Sequence, residues 1–278
     1  MTSIVSIFNR ALTFLFGMFY SALKWLGPFW SLVGLSILGG ILLVWIFGKV
    51  SNQDAIKRAR NRLSAELIAL RLFKDDLRVF FGVQGQVLVW TLKYLQHSLV
   101  PMLILMVPAV IILVQLNLHY GLRPLAIGES ALVKVKLRDS AALAGGAEFK
   151  LQAPANLKIE TEGVRVPELK EVCWRVRGIS PGRFDLIVTD GKTSVTKKAA
   201  VGGRMEGVSS LRTARWLDNL LYPDEAPIAT SSAVESIEIL YPELGLAILG
   251  RHVNWMILFL VLSMIFGFAF KGVLGVQI

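Results

Sequence analysis

Two uncharged apolar runs constrain this chain more than any other feature. Phe29–Phe47 reads "FWSLVGLSILGGILLVWIF" and Leu99–Leu118 reads "LVPMLILMVPAVIILVQLNL". A helix crosses a bilayer in roughly 20 mostly apolar residues, so each run is long enough to span. A third run, Trp255–Phe270, "WMILFLVLSMIFGFAF", reaches that length if it extends to Ile278 with Lys271 snorkelling. With 54% hydrophobic residues in 278, unevenly distributed, the expectation is three membrane spans plus one non-membrane domain. The N-terminus places Ile4, Phe8, Ala11, Leu12, Leu15, Phe19 and Leu23 at helical spacing, opposite Ser6, Asn9, Arg10, Thr13 and Lys24. Its charge-free core is short for a span, so 1–27 is expected as an amphipathic helix lying in the interface.

Charge sets the sidedness. Nine Lys or Arg lie between Lys49 and Lys93, whereas the N-terminal flank holds only Arg10 and Lys24. Short loops rich in Lys and Arg stay cytoplasmic. The expected order is therefore an outside N-terminus and interfacial helix (1–27), a first span (28–48) and a cytoplasmic segment (49–98). A second span (99–118), an extracytoplasmic region (119–250) and a third span (251–278) with an inside C-terminus follow.

Within the cytoplasmic segment, "SNQDAIKRARNRLSAELIALRLFKDDLRVFFG" repeats Ile56, Leu63, Leu70 and Leu77 every seven residues, with Leu67 and Phe81 interleaved. This is a coiled-coil-like stripe. Its opposite face carries Lys57, Arg58, Arg62 and Arg71. Gly82 and Gly85 are expected to break the helix, and Val87, Trp90, Leu92, Tyr94 and Leu95 to form a second one. The result is a basic helical hairpin. The competing reading is a flat amphipathic connector held to anionic lipid by its arginines.

Residues 131–203 alternate with period two. The runs "ALVKVKL", "EFKLQ", "NLKIETE", "VRVP", "VCWRVR", "RFDLIVTD" and "TSVTKKAAV" are separated by Gly, Pro and Asn-rich turns. Seven short strands predict a small antiparallel sandwich over 119–208. "SPGRFDLIVTDG" resembles the penultimate strand of bacterial immunoglobulin-like modules. Residues 209–250 read as an amphipathic turn, with Trp216, Leu217, Leu220 and Leu221, followed by an irregular linker. Cys173 is the single cysteine, which excludes an internal disulfide, and it is expected as a buried strand residue.

No nucleophile elbow, phosphate-binding glycine loop or zinc-protease helix occurs, so the expectation is a protein that is not an enzyme and needs no cofactor or metal. The runs are also poor in the mid-membrane charges that transporters use. A net charge of +10 points to anionic lipid and the membrane potential, with no specific nucleic-acid sequence as partner.

The order of a span, a basic cytoplasmic hairpin, a proline-containing span, an extracytoplasmic segment and a third span resembles the three-helix core of the YidC/Oxa insertase superfamily. The likeness is strongest to its reduced members, the archaeal YidC-like proteins and the third subunit of the ER membrane protein complex. "SLVPMLILMVPAVIIL", residues 98–113, is similar to the family's second core span, with Pro101 before the apolar run and Pro108 following Met106. The likeness covers residues 29–118 and 251–276. It departs from the bacterial insertases in the position of the β-domain, and in lacking an arginine within the first core span.

The resemblance implies a membrane-protein insertase or membrane chaperone. Ser36, Gln115 and Ser263 would line a groove, with Lys49 at its mouth, and nascent membrane proteins or the ribosome would be partners. The alternative is a non-catalytic accessory subunit of a larger membrane complex, docked through the β-domain to other subunits. Either would sit in a bacterial or archaeal cytoplasmic membrane. The fold class expected is an integral membrane protein, mainly α, with three spans, a cytoplasmic helical hairpin and an inserted immunoglobulin-like β-sandwich.

Overall fold

The computed structural model describes residues 2–72, 77–139, 149–191, 193–203, 207–248 and 251–276. It combines helices, two of them long and apolar enough to cross a membrane, with antiparallel β-sheets. The chain divides into two compact units. One holds residues 32–113 and 256–278, the other residues 1–31 and 114–255.

The first unit is helical. Helix α2 covers Pro28–Val50, α3 Gln53–Leu72, α4 Leu77–Tyr120 and α6 Trp255–Phe270. Within the unit, α2 and α6 pack through small residues. A Cβ on Gly40 would meet the Ser263 carbonyl oxygen at 2.4 Å, and one on Gly267 would meet Val44 at 3.0 Å. Gly39 faces the Phe259 ring and Gly48 faces Val276. Residues 39, 40, 44 and 48 thus meet 259, 263, 267 and 276 in ascending order, so the two helices run parallel. Small residues at these positions let the two backbones approach closely.

Helix α3 begins at a side-chain cap. Asn52 Oδ1 accepts the Ala55 amide at 3.0 Å, satisfying one of the open N–H groups of the first turn. Ala55, Ile56 and Ala59 are buried, Leu63 and Leu70 are half-buried, and Leu67 is exposed. The expected seam is therefore real at Ile56 but centred on Ala55–Ala59, not on a full heptad. The side chains of Arg71, Leu77 and Phe81 lie outside the described residues.

Two expectations change in α4. Gly82 and Gly85 do not break the helix, and no boundary separates a second hairpin helix from the apolar run. One helix of 44 residues runs through both, with Pro101 and Pro108 inside it. A helical glycine costs only about 1 kcal/mol relative to alanine, too little to end a helix without an αL turn to follow it. Helix α3 ends at Leu72 and α4 begins at Leu77; residues 73–76 lie outside the described set. Helix α6 has 16 residues, fewer than the expected third span.

The second unit opens with α1, Thr2–Leu23. A short turn through Gly27, whose φ of 87° suits glycine, joins it to Pro28. Tyr20 of α1 packs on His119 at 4.2 Å and edge-on to Tyr120 at 5.8 Å, and the Tyr120 hydroxyl donates to Ser31 Oγ at 2.7 Å. Outward, Phe14, Met18 and Trp25 are exposed, Trp25 at 79%.

All seven expected strands form. They are β1 (Ser130–Leu137), β2 (Lys150–Gln152), β3 (Leu157–Ile159), β4 (Val164–Val166), β5 (Glu171–Gly178), β6 (Gly182–Thr189) and β7 (Ser194–Val201). The region expected as an amphipathic turn and irregular linker adds β8 (Leu211–Thr213), helix α5 (Trp216–Leu221), β9 (Val234–Ile239) and β10 (Leu246–Ile248), and the first residues of the expected third span form β11 (Arg251–Val253), which pairs antiparallel with β10. The larger sheet runs β3-β5-β1-β9-β8, with β4 also on β5, and the smaller runs β2-β6-β7. The two sheets share one core, in which Val133, Val135, Trp174, Leu186, Val188, Ile237 and Ile239 meet. The β-structure therefore extends well past residue 208. Cys173 is half-buried, since Val172, Trp174 and Val176 take the inward positions of β5 and Cys173 alternates outward opposite Lys134.

Candidate functional site: polar residues of the apolar helices and a basic groove in the hairpin

Of the four residues expected to line a groove, two spend their polar groups locally. Ser36 is buried and donates to Leu32 O at 2.7 Å; Ser263 donates to Leu260 O at 3.1 Å. Both hydroxyls satisfy their own helix, and both residues stand at or one turn from the close α2–α6 contact. Lys49 is exposed in the last turn of α2, where a cation complements the helix dipole. Gln115 differs. It is 2% exposed, and its Oε1 has no hydrogen-bond partner among the described residues. An unpaired buried amide oxygen costs on the order of 1–3 kcal/mol, so this acceptor is kept at a cost.

The hairpin carries the most organised cluster. A groove of about 510 Å³ is lined by Ala55, Arg58, Ala59, Asn61 and Arg62 of α3, and by Trp90, Lys93 and His97 of α4. Spacing explains the geometry. Residues 55, 58, 59 and 62 share one helical face, and so do 90, 93 and 97. Residues 55–62 face 90–97 across the groove, as in an antiparallel helix pair. Ala55 and Ala59 form a low floor between the longer side chains.

Three fixed cations line this groove, and its aromatic wall is part of the same arrangement. The Lys93 ammonium sits 4.3 Å from the centre of the Trp90 ring, within cation–π range. Among the described residues, Arg58, Arg62 and Lys93 have no carboxylate partner. The groove is therefore a positive concavity whose charge is not internally neutralised. Arg58 and Arg62, expected from sequence as the basic face, are brought together here. Lys57 is exposed but does not line the groove, and Arg71 falls outside the described side chains. Trp90, Lys93 and His97 were not expected at this site, although their i, i+3, i+7 spacing marks one face.

A second polar cluster lies inside the β-sandwich. Lys197 occupies an inward position of β7, between Val195 and Ala199, and is fully buried. Its ammonium donates to Glu225 and to the Ser209 carbonyl at 2.7 Å. Glu225 also accepts the Lys198 amide at 3.1 Å. Burial pushes the Lys197 ammonium below its ordinary pKa, and the charge of Glu225 opposes that shift. Nearby, the Tyr241 hydroxyl accepts the Ala200 amide at 2.9 Å, and burial raises its pKa to about 12. These bonds tie the 207–228 strap to β7.

Comparison with protein-family models, with curated proteins and with solved structures finds no match to this chain.

Proposed function

We propose that the chain is an insertase or membrane chaperone of the YidC/Oxa type, in a bacterial or archaeal cytoplasmic membrane, with α2, α4 and α6 as its spans. The observation that carries this reading is the antiparallel, unneutralised basic hairpin built between two apolar helices, α2 and the proline-containing α4. Parallel packing of α2 and α6 also supports it, since an outside-to-inside first and third span requires that direction. Such a protein needs no reacting group. It lowers the cost of moving a client's polar flank through hydrocarbon, where each unsatisfied backbone group costs several kcal/mol. The β-sandwich, which we read as immunoglobulin-like, would stand on the outer side and hold partner or client.

The test has two parts. Cysteines at the exposed positions Ser64 and Ser194 are labelled with an impermeant maleimide in intact and permeabilised cells. The expected pattern is Ser64→Cys labelled only after permeabilisation and Ser194→Cys in intact cells; labelling of both alike removes the three-span topology. Purified protein is then reconstituted into liposomes with a single-span client bearing a short translocated flank. Insertion above protein-free liposomes supports the reading, and a level equal to them removes it. The accessory-subunit reading rests on the size of the β-domain, which is larger than a minimal three-helix core requires. It gains if the chain co-purifies in one fixed stoichiometry and inserts nothing. The α2 glycines do not add to it, because Gly39 and Gly40 are already used within the chain by Phe259 and Ser263.

A further inference from the structure

We infer that the hairpin groove is a binding site for the phosphate headgroup of an anionic phospholipid. This deepens the proposed function and rests on its reading of Leu99–Leu118 as a span.

Charge comes first. Arg58, Arg62 and Lys93 converge on one concavity with no carboxylate among the described residues to neutralise them. Guanidinium groups favour phosphate because their N–H fork matches two phosphate oxygens at once. Asn61 and His97 add donors on the same walls. A volume of about 510 Å³ holds a phosphodiester with its glycerol, far more than a water or a halide would need.

Position selects lipid over other phosphates. His97, Lys93 and Trp90 precede Leu99 by two, six and nine residues on one continuous helix. At 1.5 Å per residue they stand about 3, 9 and 14 Å from the start of the apolar run. The polar layer of a bilayer is roughly 5–8 Å thick on each side, so His97 lies at headgroup depth, Lys93 at its outer edge and Trp90 beyond it. A ribosomal RNA contact would call for cations standing clear of the membrane.

The experiment uses the full chain in mild detergent, titrated by native mass spectrometry with phosphatidylglycerol, phosphatidylcholine, inorganic phosphate and a short oligouridine RNA. The expected result is retention of phosphatidylglycerol over phosphatidylcholine, with one lipid saturating per chain. The double variant R58A/R62A should weaken that retention about thirtyfold, at roughly tenfold or less per cation lost. Arg60→Ala, which removes an equal charge from the same helix but off the groove, should leave it unchanged. Equal retention of both lipids, or a double variant like the parent, overturns the inference. So does binding of phosphate without lipid, and so does RNA outcompeting phosphatidylglycerol. Carbonate extraction of cell membranes separates this from the span reading: extraction of the chain removes the span, while the detergent titration still reports on the groove.

Discussion

Lys197 and Glu225 form an ion pair inside the sandwich, with 0% and 4% of their side chains exposed. Two charges so far from water are held by each other and by the Ser209 carbonyl. Removing one leaves the other stranded. Glu225→Gln should therefore lower stability by about 3–5 kcal/mol, whereas replacing both by apolar residues, Lys197→Met with Glu225→Leu, should be near neutral. Thermal unfolding of the three variants checks this. A double variant as unstable as the single one would show that the pair is not the determinant.

Gly40 and Gly82 give opposite expectations for the same substitution. A Cβ at Gly40 meets the Ser263 carbonyl at 2.4 Å, backbone that has nowhere to move unless α2 and α6 separate; Gly82 has nothing within 4 Å. Gly40→Ala should reduce steady-state abundance and detergent Tm. Gly82→Ala should raise stability by up to about 1 kcal/mol, because alanine is the better residue in an uninterrupted helix. A drop at Gly82→Ala would argue for a real break in α4.

Ile56 and Arg62 test the two faces of α3. Ile56 is 1% exposed, and a carboxylate there would be buried without a partner. Ile56→Asp should cost several kcal/mol and deplete the protein. Arg62→Glu, in the open groove, should leave abundance intact, as measured by immunoblot against a co-expressed standard.

Glu129 supplies a pH dependence. Arg123 donates to it twice, at 2.7 and 2.9 Å, and the Ala126 amide donates at 2.8 Å. The Arg123 hydrogen bond, ahead of the amide, holds the Glu129 carboxyl below its usual pKa. A carboxyl with a depressed folded-state pKa adds stability above its unfolded value, and that stability fades as pH falls toward the folded one. The pair is about a third exposed, so the effect is small. Glu129→Gln should lower Tm slightly at neutral pH, and the two curves of Tm against pH should converge as pH falls below about 4.5. A parallel loss at all pH values would mean the carboxylate acts by packing alone.

The β-sandwich fragment has a defined minimum. Residues 125–205 leave out β9, the strand between β1 and β8, whereas 122–244 includes it. Far-ultraviolet circular dichroism should show strand structure for the longer fragment and an unfolded chain for the shorter.

The reason β9 escapes a reading by alternation is local. Its partner register slips between Lys136 and Leu137, so Val234 pairs with Leu137 while Ser236 pairs with Lys136. Glu235 is the extra residue of a bulge, and the inward positions fall at 234, 237 and 239 in place of a strict period of two. Lys197 hides for the opposite reason. Its strand alternates perfectly and places it inward, but a lysine among Val195, Ala199 and Val201 reads as an error of register until Glu225, 28 residues on, is seen to meet it. The seven earlier strands and the apolar helices were legible because each is specified by its own residues. Arg58 and Arg62 were legible as neighbours on one helical face by their spacing, and the groove of the structure has both in its lining. Trp90, Lys93 and His97 became part of the groove only once α4 was continuous, since a helix restarted after Gly85 has no fixed phase relative to α3.

The place of β9 has a consequence for the order of synthesis. It enters between β1 and β8, yet it starts about 100 residues after β1 ends. At translation speeds of roughly 5–20 residues per second, β1 waits about 5–20 s with one edge unpaired. An open strand edge is a template for pairing with any other extended chain. The newborn protein must therefore keep one flank of its own sheet away from neighbouring chains until its last fifth has been made.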